Sequence, residues 1–242
     1  MVTTDGHLLG GRVLYRQPAE GFRSGIEPVL LAATVPARIG AHVLEAGTGA
    51  GAGLLCLSHR VAGIQATGVE LNPAIAAIAA ENARRNGFPD IDIVVGDIAS
   101  VALPAAFDHA IANPPYHPPN GSVSPDAGRE LAKRGSADLI ETWIGRLSGA
   151  LRRRGSLSLI VPAWLIPTCL TAMAATGSPC SAVFPLWPKP GRPAKLVLLR
   201  GIRNGRGPMR MLPGLVLHRA DGSFTEAAQA ILADAAALPL DG

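Results

Sequence analysis

The stretch that most limits what this chain can become is Leu44–Gly53, LEAGTGAGAG. It follows a short apolar run, HVLEAG (His42–Gly47), and leads into a helical pattern, AGLLCLSHRVA (Ala52–Ala62). Gly47, Gly49 and Gly51 alternate where a strand has to turn tightly into a helix. Glycine adopts positive φ there and lets a ligand approach the backbone. The helix N-terminus beyond it offers unpaired N–H groups to a carboxylate or phosphate. The same alternation continues downstream. IQATGVE (Ile64–Glu70) reads as a strand, and PAIAAIAAENARRNG (Pro73–Gly87) as a helix with proline in its first turn and glycine past its end. IDIVVGD and FDHAIAN read as further strands, Ala137–Leu151 as a helix, and SLSLIV (Ser156–Val161) as a buried strand. A helix near Trp164 and a late strand, KLVLLRG (Lys195–Gly201), complete the series. Strands alternating with helices predict an α/β fold: a Rossmann-like, mainly parallel sheet with helices on both faces. Residues 1–40, the loop 117–136 and the turn 188–194 are expected to be irregular.

The 242 residues are 48% hydrophobic and 17% charged, enough apolar material for a large core and too little charge for a disordered chain. Cys56, Cys169 and Cys180 are odd in number and form no C-x-x-C pair, which fits a reducing, cytoplasmic setting. MVTTDGHLLGG lacks the basic and apolar regions of a signal peptide. From Gly155 to Pro188 no residue is charged, but Pro162, Pro167, Pro179 and Pro185 interrupt the run, so no membrane span is expected. No His, Cys or Asp spacing suggests a metal site.

Charge is divided unevenly. Residues 1–112 carry 7 Lys/Arg against 10 Asp/Glu, and residues 113–242 carry 15 against 8. Between Glu141 and Asp221 there are twelve Lys/Arg and no acid, which points to a polyanionic partner.

The candidate site grows from the strand ends. Glu70 ends the second strand, where an acidic side chain can take both hydroxyls of a ribose. Asp97 ends the third, and strand ends on one edge of a parallel sheet converge on a ligand crevice. A bound nucleoside follows. The dinucleotide pattern G-x-G-x-x-G is absent, and the fourth strand ends in Asn113-Pro114-Pro115-Tyr116, which favours S-adenosylmethionine over NAD.

LEAGTGAG, GVELNP, GDI and IANPPY, in that order, resemble the class I amino-methyltransferases. Residues 1–140 and the tail RMLPGLVLHRADGSFTEAAQAIL are similar to the bacterial tRNA(Val) adenine-N6 methyltransferase family. The resemblance implies a seven-stranded sheet, one methyltransferase domain over residues 1–242, and S-adenosylmethionine as cofactor. It implies that Gly21–Ala33, within the N-terminal segment 1–40, closes over that cofactor. Glu45, Gly47, Gly49 and Gly51 would face its methionine part, Glu70 would hold its ribose, Asp97 with Ile98 its adenine, and Leu71 and Asn113 would also line the cofactor. Asn113 would accept one hydrogen of an adenine amino group on its side-chain oxygen, and the Pro114 carbonyl the other, which aims the nitrogen lone pair. Tyr116 would stack on the base. Arg129, Lys133 and Arg134 in the loop 117–136, with Arg192 and Lys195 in the basic segment 188–219, would grip RNA, tRNA being the expected class. His117 and Trp187 are further candidates for substrate contact, each with a structural alternative. Trp143 and Trp164 fall in helical patterns and are expected in the core. The four-residue turn also serves protein glutamine methylation, as in release-factor methyltransferases, because glutamine is a planar amide too. A catalytically silent RNA-binding module is the third reading.

Overall fold

A computed structural model of the chain describes residues 1–20, 24–104, 106–115 and 137–240. Seven strands make the body of one twisted sheet: β3 (His42–Ala46), β4 (Gln65–Glu70), β5 (Ile91–Val95), β6 (Phe107–Ala112), β7 (Leu151–Pro162), β8 (Cys180–Trp187) and β9 (Leu196–Ile202). They lie side by side as β8-β9-β7-β6-β3-β4-β5, and all neighbours are parallel except those of β9, which runs against both β7 and β8. Two short strands, β10 (Arg210–Met211) and β11 (Leu215–Val216), add to the outer side of β8. The expected seven strands are thus present, extended at one margin.

The central strands are apolar on both faces because helices cover both. Val43, Leu44, Ala110, Ile111 and Leu157 are fully buried, the pattern of parallel strands between two helical layers. One layer holds α1 (Glu27–Thr34), α2 (Ala52–Arg60) and α3 (Pro73–Arg85); the other holds α4 (Ala137–Ala150) and α5 (Ile166–Ala175). The start of α3 is fixed by Asn72, whose Oδ1 accepts from the Ala74 N–H at 2.9 Å.

The first forty residues are not irregular. β1 (Thr3–Leu8) and β2 (Val13–Pro18) form an antiparallel hairpin, and α1 follows. The hairpin is held by tertiary contacts rather than by its own pattern. Val13 and Tyr15 are buried, and two amides, one in α3 and one just past its end, clamp the outer edge of β2. Asn82 Oδ1 accepts from the Arg16 N–H at 2.9 Å, and its Nδ2 donates to the Arg16 carbonyl at 2.7 Å. Asn86 does the same for Leu14, at 2.8 Å each way. The tail closes with α6 (Glu226–Leu232), capped by Thr225 and packed against α1 through Ala228 and Ile231. Among the described residues no helix is long and apolar enough to cross a membrane, and no group of His, Cys, Asp or Glu could hold a metal ion.

Candidate active site

Sheet order decides where a ligand can bind. From β3 the chain moves outward through β4 to β5, then returns to the other side of β3 as β6 and goes on to β7. Such a reversal leaves a crevice beyond the carboxyl ends of β3 and β6, uncovered by either crossover. The glycine turn lies there. Ala46 pairs with Ala112, so the next residues, Gly47 and Asn113, stand at one level across the crevice.

The turn needs its glycines. Gly47, Gly49 and Gly51 have φ of 64°, 57° and 89°, in the left-handed region. A Cβ on Gly47 would sit 2.6 Å from the tip of the Trp143 indole, whereas one on Gly49 would meet nothing within 4 Å. Gly47 is therefore closed in by α4, and Gly49 faces open space.

Two carboxylates brace the turn. Glu70, at the end of β4, accepts from the Gly49 N–H at 3.0 Å and from the Asn72 N–H at 2.9 Å, one bond to each oxygen. Each oxygen keeps a lone pair for a further donor. Glu45 lies beneath the turn, 4% exposed. Its Oε2 accepts from the Thr48 hydroxyl at 2.6 Å, and the Leu54 N–H donates to its carboxylate. Burial pushes the Glu45 carboxyl up to about 7, helped by the charge of Glu70 and opposed by the Thr48 and Leu54 hydrogen bonds.

Beyond Glu70 the surface turns apolar. Leu71 is 51% and Val95 54% exposed, and Glu70 pairs with Val95, so both flank the carboxylate. Asp97 is two residues past the end of β5 and exposed, its Oδ1 accepting from the Ala99 N–H at 2.9 Å. Ile98 is buried, and its carbonyl accepts from Arg146 Nε at 3.0 Å. A carboxylate with free lone pairs, exposed aliphatic side chains beside it and an open backbone at Gly49 fit a nucleoside with a short charged chain.

Asn113 and Pro114 follow β6 directly, Asn113 half-buried and Pro114 buried. Tyr116, His117, Arg129, Lys133 and Arg134 lie outside the described residues. Arg192 and Lys195 are exposed in the turn between β8 and β9. Because β9 is antiparallel, that turn emerges on the same edge as Glu70 and Asn113. Lys189 and Arg219 join it: Lys189 Nζ donates to the Ala220 carbonyl at 3.0 Å, and the His218 N–H to the Pro188 carbonyl at 3.2 Å. Most other cations of the acid-free stretch go elsewhere, Arg146 being held at the Ile98 carbonyl. Arg152, Arg153 and Arg154 open β7, and Arg203 and Arg206 follow β9, all at the far edge of the sheet. Arg200 is buried and donates to the Thr34 carbonyl.

Trp164 is not in the core. It is 44% exposed in a 3-10 turn at the end of β7, where Leu165 takes the buried position. Trp143 is half-buried, its rim against Gly47. Trp187 is tied down by its indole N–H, which donates to the Pro213 carbonyl at 3.1 Å. Asn82 was not singled out by sequence reasoning. Completely buried, it also donates from Nδ2 to the Ala50 carbonyl at 2.9 Å, so it links the hairpin to the glycine turn. A polar residue in the apolar stripe Ile75-Ile78-Ala79-Asn82 was its signal.

Residues 27–147 match the family described as "Methyltransferase small domain". A tRNA1(Val) (adenine(37)-N6)-methyltransferase of Porphyromonas gingivalis is 33% identical over 150 residues, 58% of this chain and 58% of that protein. The chain thus spans somewhat more than half the length of that relative. A release factor glutamine methyltransferase of Moorella thermoacetica is 30% identical over 125 residues, 48% of this chain and 44% of that protein. Among solved structures, a protein of Agrobacterium tumefaciens described as a predicted O-methyltransferase superposes with a TM-score of 0.73 at 22% identity, over 89% of this chain and all of that one. That likeness concerns the fold.

Proposed function

We propose that this chain, which belongs to the methyltransferase small domain family, moves a methyl group from S-adenosylmethionine to the exocyclic amino group of an adenine in structured RNA, tRNA being the substrate class. The observation that carries the reading is the placement of Asn113 level with Gly47 across the crevice at the sheet's reversal point. Glu70 holds the ribose hydroxyls with the lone pairs left by Gly49 and Asn72. Leu71 and Val95 give the adenine of the cofactor an apolar seat, with Asp97 and the backbone at Ile98 at its polar rim. Gly49, with open space beside it, admits the methionine portion, and Glu45 stiffens the turn from below. The bound cofactor supplies an electrophilic methyl group on a sulfonium.

The target amino group is a poor nucleophile because its lone pair is delocalised into the ring. Asn113 Oδ1 and the Pro114 carbonyl accept hydrogen bonds from its two N–H groups and turn the lone pair towards the methyl. The N–C bond would form as the methyl–sulfur bond breaks, and the nitrogen would then release one proton to solvent. This is catalysis by orientation and fixed dipoles, without a strong base. Pro114 and Pro115 keep the acceptors rigid. Arg192 and Lys195, on the same edge, take phosphates.

A second reading, methylation of a protein glutamine, has the similarity to a release factor methyltransferase behind it. The same two acceptors would serve a glutamine amide. One assay separates the two. Purified enzyme with labelled S-adenosylmethionine is offered total tRNA, or release factor, from cells lacking this protein, and the product is digested and identified by mass spectrometry. N6-methyladenosine in tRNA is expected, with turnover reduced about 10²–10³-fold in Asn113→Ala while cofactor affinity changes little. Label found only in release factor would replace the RNA reading, and undiminished turnover in Asn113→Ala would remove Asn113 from the chemistry.

A further inference from the structure

We propose that Trp164 and Lys195 form a stacking platform for an unpaired nucleotide neighbouring the target, a substrate contact that rests on the RNA reading. The first observation is exposure. Trp164 shows 44% of its surface at the catalytic edge, while its neighbour Leu165 is 2% exposed and anchors the turn. The second is rigidity. The 3-10 turn Ala163–Leu165 is bracketed by Pro162 and by Pro167 in the first turn of α5, so the indole is presented on a stiff support. The third is charge. The Ala163 N–H donates to the Lys195 carbonyl at 3.0 Å, so the residue before the indole is tied to the lysine backbone. Exposed Arg192 lies in the same turn.

Position relative to the chemistry follows from strand register. Ala112 pairs with Leu159. Continued at that register, Pro115 is level with Pro162, and Trp164 lies just beyond, one strand from the acceptor turn. A base lifted out of its stack leaves its neighbours unstacked, and an indole offers any base a π-face without reading its identity. Lys195 and Arg192 then meet the flanking phosphates. Trp187, half-buried at the end of β8, offers less of its ring than Trp164.

The test uses the full chain and a short fluorescein-labelled single-stranded RNA, with total tRNA in parallel, followed by anisotropy. Trp164→Ala should weaken binding of both roughly 5- to 150-fold. Trp164→Phe should recover most of the loss. Lys195→Gln should reduce the log–log salt slope by about 0.7 on the single strand. S-adenosylmethionine affinity, measured by calorimetry, should be unchanged in all three. Wild-type binding to RNA with Trp164→Ala equally tight would overturn the platform and leave the RNA reading standing. Absence of RNA binding by the wild type at low salt would remove that reading and the platform together. Altered self-association in Trp164→Ala, with RNA binding intact, would assign the indole to a protein interface and overturn the proposal.

Discussion

Two titratable groups, one buried and one half-buried, make opposite demands on pH, and replacing either should expose the other. Glu45 has its carboxyl raised from 4.5 to about 7, chiefly by burial. His109, on β6, is lowered from 6.5 to about 4, again chiefly by burial, with Asp108 opposing and Arg200, Arg152 and Arg60 reinforcing. Its Nδ1 is 2.8 Å from the Ser156 hydroxyl. The signs follow from proton counts. Between about 4.5 and 7 the folded state holds more protons at Glu45 than the unfolded state does, so stability falls as pH rises. Between about 4 and 6.5 the unfolded state holds more protons at His109, so stability rises with pH. Each slope approaches about 1.4 kcal/mol per pH unit and integrates to about 3 kcal/mol for Glu45, less for the partly exposed histidine. In the shared window they oppose each other, with Glu45 the larger. Urea unfolding of the wild type should therefore give a stability that falls only gently from pH 5 to 6.5. Glu45→Gln, which keeps the shape, should become more stable as pH rises, and His109→Asn less stable. Should Glu45→Gln track the wild type across this window, Glu45 would be ionised in the folded protein and the reasoning refuted.

Other expectations are simpler to check. Asn82→Ala removes three backbone hydrogen bonds, one of them fully buried, and should lower unfolding stability by about 3 kcal/mol, against about 1 for Asn86→Ala at the more exposed end of the same clamp. Equal midpoints in urea for the two variants would contradict this. Gly47→Ala places a side chain at φ 64° against Trp143 and should weaken S-adenosylmethionine about tenfold or more. Trp143→Ala added to it should restore part of the affinity in calorimetry, and no recovery would mean that the backbone, not the indole, sets the limit.

Parts of this molecule were legible in one dimension because their causes are local. The strand–glycine–helix junction, the Pro73 start and Gly87 end of α3, and the alternation of β3 to β6 with helices are written in neighbouring residues. The hairpin at residues 3–18 is not, because β2 is held by amides some 66 to 72 residues away. The strand β8 was hidden by Pro185, which argues against a ladder position. It is tolerated because β10 pairs with Ala182 and Val183 and β11 with Leu186 and Trp187, leaving Pro185 in the gap between them. Trp164 resembled a core residue because helical periodicity cannot tell a strand's exit from a helix's first turn. The acid-free stretch looked like one surface, but adjacent strands of opposite direction send its cations to opposite edges. The turn between β8 and β9, with Arg219, shares the edge with Asn113, and Arg146 reaches it through the Ile98 carbonyl.

The reversed direction of β9 divides that edge into parts that can change at different rates. Where a parallel strand ends, the chain has to enter the next crossover, and those exits already carry Gly47, Glu70 and Asn113. Where β8 meets β9, the chain simply doubles back through residues 188–195, with no helix to align. Doubling the length of such a loop adds only about 0.6 kcal/mol of closure entropy. It can be lengthened, recharged or exchanged while the strand ends beside it keep their spacing. The hairpin is thus the interchangeable head of a fixed tool. Grafting a different loop between Lys189 and Lys195, which leaves the bonds of Pro188, Lys189 and Lys195 to His218, Ala220 and Ala163 in place, is the least disruptive route to giving the same methyl-transfer centre another client.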